Sequence, residues 1–207
     1  MTDIWPVIHS ERRALAEDLG SLSDEQWRTQ SGCAEWTVHD VLAHLLSAAK
    51  MTPSKFLVRF ARAGFNFDRF AGRQVAFERA GGPAATLAAF RAALGRTTAP
   101  PGPKDTWLGE AFVHGEDIRR PLGIVHQYPL PYVTRVITLY ANSGAIIGGK
   151  QRVAGLKLVA TDTDFSVGSG PIVEGPAVAL MLAASGRTPA LAELGGPGLD
   201  TLVTRCR

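Results

Sequence analysis

The stretch 107–123 reads WLGEAFVHGEDIRRPLG, and the fold of the N-terminal half turns on its reading. Stepped at about 100° per residue, Trp107, Glu110, Ala111, His114 and Ile118 share roughly one third of a helix circumference. The helix is expected to begin near Asp105 or Thr106 and to stop at Pro121 and Gly123. Arg119 and Arg120 then fall in its last turn, where positive charge complements the helix dipole. A face carrying Trp, Ala and Ile should be buried against other helices, yet it also carries a carboxylate and an imidazole. Glu110 and His114 lie four residues apart and stack one turn above the other. That is the spacing by which two side chains of one helix reach a single ion. A divalent cation would remove the penalty of a buried carboxylate and hold the imidazole neutral. Two readings stand at this point: a metal site, or a hydrogen-bonded Glu–His pair on a core or water-facing helix.

Two ligands on one helix do not close a site, and the third is sought in EWTVHDVLAHLLSAAK, residues 35–50. Thr37 is the N-cap of this helix, with Asp40 returning the capping-box bond. Val38, Val41, Leu42, Leu45 and Ala49 form its apolar face. His44, one turn after Asp40 and beside that face, is the best third ligand. Two histidines and one carboxylate on bundle helices leave coordination positions open, which marks a catalytic rather than a structural site. Such N/O donors suit Zn²⁺ first, then Ni²⁺, Mn²⁺ or Fe²⁺. Asp117 is a candidate acceptor behind a ligand. Arg119 and Arg120 are candidates for a substrate carboxylate, with dipole complementation as the competing role. Cys33 is read as a small packing residue, His39 as solvent-facing, and His9 and His126 as lacking partners at useful spacing.

The remaining chain supports a helical N-terminal region and a different grammar after it. Ile4, Ile8, Leu15 and Leu19 keep a helical stripe that stops at Gly20. SLSDEQW is a turn or short helix, and Phe56 and Phe60 continue the 38–50 helix through a bend near Pro53. In 55–73, five basic residues alternate with phenylalanines, read as a core-facing Phe stripe with an Arg-rich solvent face. RAGGP breaks the chain at 79–83, Leu87, Phe90 and Leu94 give the next helix an apolar side, and GRTTAPPGPKD is a loop. Beyond residue 126, YVTRVITLYANSGAIIGG reads as a helix. GLKLVAT and DFSVG form a hairpin, GPAVALMLAASGR a buried helix ended by Gly186, and TPALAELGG a last short helix. The expected fold is thus mixed: a four-helix bundle over residues 1–126, then a small α+β domain over 127–207.

Composition excludes several classes. The chain has 207 residues, 45% hydrophobic and 20% charged, as ordinary globular domains do. A net charge of +3 is too small to imply a nucleic-acid partner. No apolar run approaches the roughly 18–20 residues of a membrane span, and no secretory signal is visible. Two cysteines make no disulfide framework. A cytoplasmic protein with reduced thiols is expected, either monomer or homodimer, with no nucleic-acid or membrane partner.

Two segments carry a family resemblance. SGCAEWTVHDVLAHLL is similar to the C-x-x-W-T-V-x-D-V-x-x-H-L segment of the mycothiol-dependent maleylpyruvate isomerase family, within the DinB-like metal-binding bundles. EAFVHGEDIRRPLG resembles that family's E-x-x-x-H-x-x-D-I-R-R-P-L-G segment. VEGPAVALMLAASGR resembles its C-terminal, sterol-carrier-like α+β domain. The resemblance implies a divalent metal, often zinc, on His44, Glu110 and His114, with mycothiol as thiol cosubstrate and a small electrophile as substrate. The implied reaction is an isomerisation or a thiol transfer. The alternative is a non-enzymatic binder of a small molecule or lipid, its metal serving stability alone.

Overall fold

The protein is described here by a computed structural model covering residues 3–144 and 148–206. It divides into two compact units, Met1–His126 and Gln127–Arg207.

The first unit is helical. Helix α1 (Trp5–Asp18) carries Pro6 in its first turn, where the missing N–H is no loss. Short α2 (Asp24–Arg28) starts from a capping box of Ser23 and Gln26. Helix α3 (Val38–Lys50) starts from the Thr37–Asp40 capping box that the sequence indicates. The expected bend near Pro53 is instead a break. Met51 is extended, Thr52 caps a new helix, and Pro53 opens α4 (Pro53–Arg62). Helices α5 (Phe67–Arg79), α6 (Gly82–Ala92) and α7 (Asp105–Arg119) follow, α7 ending in a 3₁₀ turn and left-handed Gly123.

Helix α3 is the centre of this unit, packed by α5, α6 and α7, while α1 packs on α7 and α6. The core is built from the apolar faces that periodicity marks: Leu15 and Leu19 of α1, Val38 to Ala49 of α3, Leu87 and Phe90 of α6, Ile118 of α7. The 55–73 stretch splits in a way the sequence does not foretell. Phe56, Phe60 and Phe70 stack on one another, whereas Phe65 and Phe67 stand exposed with Leu57 and Val58.

The second unit holds α8 (Leu130–Asn142), α9 (Gly149–Val153), strands β1 (Lys157–Ala160), β2 (Ser166–Gly168) and β3 (Ile172–Gly175), α10 (Ala177–Ala184), a 3₁₀ turn at Thr188–Glu193, and α11 (Leu199–Cys206). The helix expected over 132–149 ends at Asn142, and residues 145–147 lie outside the described residues. The sheet order is β2-β1-β3, with β1 antiparallel to β2 and parallel to β3. Leu158 and Val173, paired in register, turn to the buried side. Helix α10 is apolar nearly all round and packs between α8 and the sheet. The fold class is therefore the expected one, a helical N-terminal region with a small α+β unit. Strand β3 and helix α11 are additions to what the sequence shows.

Candidate metal centre

Helices α3 and α7 pack side by side and bring His44, Glu110 and His114 together. His44 Nε2 lies 3.1 Å from Glu110 Oε2, and His114 Nε2 lies 3.6 Å from the same oxygen. The two imidazole rings meet edge to face with centroids 4.8 Å apart. Three donors held about 2.1 Å from one ion in tetrahedral geometry are about 3.4 Å from one another. The two measured edges bracket that value, and all the ligand atoms lie within 4.8 Å of one another. The side chains are part-buried, at 16%, 28% and 14% exposure. The centre is thus sheltered yet reachable.

The support behind the trio is more elaborate than the spacing suggests. Asp117, one turn beyond His114, is buried and lies 2.9 Å from His114 Nδ1. With Nδ1–H donating to that carboxylate, Nε2 is turned toward Glu110, where it carries a proton in the absence of a cation and would present its lone pair to one that displaced that proton. The Cys33 thiol donates to the same Asp117 oxygen at 3.1 Å and lies 3.8 Å from His114 Nδ1. Cys33 is therefore part of this network and not the inert packing residue the sequence suggests. Cys33, His114 and Asp117 also form a second group of donors close enough to share an ion. Their atoms, however, already satisfy one another by hydrogen bonds.

The loop that delivers Cys33 is stitched in place. Gln30 Nε2 donates to the carbonyls of Cys33, Ala34 and Trp36, and Gly32 N–H donates to the Asp117 carbonyl at 2.8 Å. A Cβ at Gly32 would lie 2.5 Å from Asp117 Oδ1 and 3.0 Å from its Cα, so only glycine lets the loop approach α7 this closely. Trp36 lays its ring against His44, centroids 4.9 Å apart.

Burial alone would push the His114 imidazole down, but its bonds to Asp117 and Cys33 and the nearby Glu110 charge outweigh this and hold it up to about 10. Without a cation, His114 carries the positive charge that neutralises the surrounding carboxylates.

The other sequence candidates fall elsewhere. Arg119 is fully buried with Nε donating to Asp18 at 2.7 Å, and Arg120 Nε donates to Glu116 at 2.7 Å. A carboxylate of the chain thus pairs with the Nε of each of them. His39 is buried, not solvent-facing, with Nε2 2.9 Å from Thr86 Oγ1 of α6. His126 has a partner after all, Glu11 Oε2 at 2.8 Å. His9 meets the Arg96 carbonyl at 3.2 Å.

Residues 8–101 match the family model described as the mycothiol maleylpyruvate isomerase N-terminal domain. The matched region contains Cys33, Trp36 and His44 and stops short of α7. No curated protein matches the chain. Among solved structures, a crystal structure of the mycothiol-dependent maleylpyruvate isomerase superposes with a TM-score of 0.64 over 88% of both chains at 14% identity. A histidine-to-alanine mutant of that enzyme superposes with a TM-score of 0.62 at 15% identity, over 93% of this chain and 91% of the other. At such identities the likeness is one of fold. The chain has the fold of those isomerases, and within its N-terminal unit residues 8–101 are similar to the mycothiol maleylpyruvate isomerase N-terminal domain.

Proposed function

We propose that the protein is a divalent-metal-dependent enzyme that uses a low-molecular-weight thiol, mycothiol by the family's description, in an isomerisation or thiol transfer on a small electrophile. His44, Glu110 and His114 hold the ion, zinc by the character of its donors. The observation that carries this reading is the convergence of three donors from two helices, their ligand atoms all within 4.8 Å of one another, on a histidine already oriented by a buried carboxylate. A bound dication acidifies a coordinated thiol and so supplies thiolate at neutral pH.

The chain's own residues do the rest. Asp117 fixes the His114 tautomer, Cys33 and the Gly32 loop fix Asp117, and Trp36 shields His44 from solvent. Three protein donors leave room for a thiol at the open side of the trio. A thiolate adding to a conjugated double bond turns it into a single bond, which rotates. Elimination then restores the double bond in the other geometry and frees the thiolate. The same nucleophile, retained on its carbon while the neighbouring carbanion takes up the proton that the thiol gave up, completes a transfer by addition.

Elemental analysis of protein purified without a metal-affinity step is expected to give about one divalent ion per chain. That ion should be lost in His44→Ala, Glu110→Gln and His114→Ala. Metal-free protein with no thermal shift on adding Zn²⁺ would overturn the metal centre. Absence of mycothiol-dependent turnover of maleylpyruvate by zinc-loaded protein would overturn that substrate.

A further inference from the structure

The apolar stripe of α1 has a gap. Ile8 and Leu15 point into the core, and the rung between them is filled by Glu11 and Arg12. Both line a cavity of about 20 Å³ shared with Leu45 of α3, Phe90 of α6 and, on α7, Trp107 and Glu110. One wall of this cavity is therefore a residue of the candidate metal centre. Its volume admits a water or the end of a small ligand, not a whole ring system.

Arg12 is half-buried. Among the described residues its guanidinium makes one hydrogen bond, Nη1 to the Arg96 carbonyl at 2.9 Å, and no carboxylate pairs with it. The two carboxylates in the same wall are turned elsewhere. Glu11 Oε2 bonds His126, and Glu110 Oε2 faces His44 and His114. A guanidinium presents five N–H donors in a fork, so most of this one's capacity is left for a ligand. Burial without a counter-charge draws the Arg12 guanidinium down to about 10. An arginine taken out of water without an acidic partner is destabilising unless something anionic meets it.

We propose that this cavity is a carboxylate subsite, in which Arg12 grips the anionic end of a small substrate and so directs its reactive end toward Glu110 and the metal centre. Apolar walls from Leu45, Phe90 and Trp107 strengthen the charge-assisted bonds by excluding water. Only the second half of this assignment rests on the metal reading, because carboxylate binding at Arg12 needs no ion.

The test is calorimetric titration of metal-free full-length protein with sodium maleate and sodium succinate, against dimethyl succinate as the uncharged control and inorganic phosphate as a second anion. Maleate and succinate are expected to bind, and dimethyl succinate not to. Arg12→Gln should weaken binding about 10- to 100-fold, with Arg12→Lys in between. Zinc content of Arg12→Gln after reloading should match the parent, which separates this subsite from the metal centre. Modification of wild-type arginine by phenylglyoxal, followed by peptide mapping, should be slowed at Arg12 by maleate. This reading requires no variant to fold. Equal affinity in parent and Arg12→Gln, no protection of Arg12, or phosphate binding more tightly than either dicarboxylate would overturn the proposal.

Discussion

At the scale of single residues, the proposed centre sets a proton and a cation in competition for His114. In the metal-free protein its imidazole is held up to about 10, against an ordinary value of 6.5. A raised folded-state value stabilises the fold while the group is protonated. That contribution is complete below about pH 6.5 and disappears as the pH climbs through about 10. Zinc needs Nε2 unprotonated, so at pH 8 its uptake should expel close to one proton from His114. Calorimetry of zinc binding in buffers of different ionisation enthalpy reads this directly. Asp117→Asn removes a charge that holds the proton, so less proton should be released. It also leaves His114 poorly oriented, and zinc affinity should drop about 10- to 100-fold. Zinc uptake with no proton release, or an Asp117→Asn variant equal to the parent, would show that His114 is not poised as its contacts indicate.

At the scale of elements, what was legible was what is local. Thr37 and Asp40 sit three residues apart, and the capping box they form is present as read, with Thr37 Oγ1 accepting from Asp40 N–H. This start fixes the phase of α3, and the phase decides that His44 faces α7. Replacing Thr37 by Ala should cost about 1 kcal/mol in urea unfolding, with little change in slope. Because the frayed turn lies upstream of His44, the loss should appear in stability before it appears in zinc stoichiometry. An unchanged midpoint would mean that packing alone sets the helix start. What was not legible is non-local. His39 lies on the polar side of the α3 wheel, but α6 packs over it and Thr86 meets its ring. Cys33 belongs to no periodic element. Only the approach of the Gly32 loop to α7, 81 residues downstream, gives its thiol a role. The bend expected at Pro53 is a new helix because Thr52 is free to cap it.

At the scale of the whole molecule, the two units differed in how much of them could be read. The helical unit announces itself through 3.6-residue stripes, and its core collects those stripes from α1, α3, α6 and α7. In the α+β unit, strand β3 leaves little local signal because its four residues lie between Gly and Pro signals and pair in parallel with a strand that is not their chain neighbour. Every donor of the candidate centre, the Asp117–Cys33 support and the Arg12 cavity lie within Met1–His126. Among the described residues that unit also owns a contiguous apolar core of 14 buried residues, of the kind an independently folding domain has. A fragment of residues 1–126 should therefore show a helical spectrum and cooperative thermal unfolding. It should take up zinc with the stoichiometry, and close to the affinity, of the full chain. Fragment and full chain are compared by competitive titration against a chromophoric chelator. A fragment that folds cooperatively yet takes up no zinc, beside a full chain that does, would show that the cation depends on a donor outside this unit. The His44, Glu110 and His114 trio would then be a hydrogen-bonded cluster within a helical bundle.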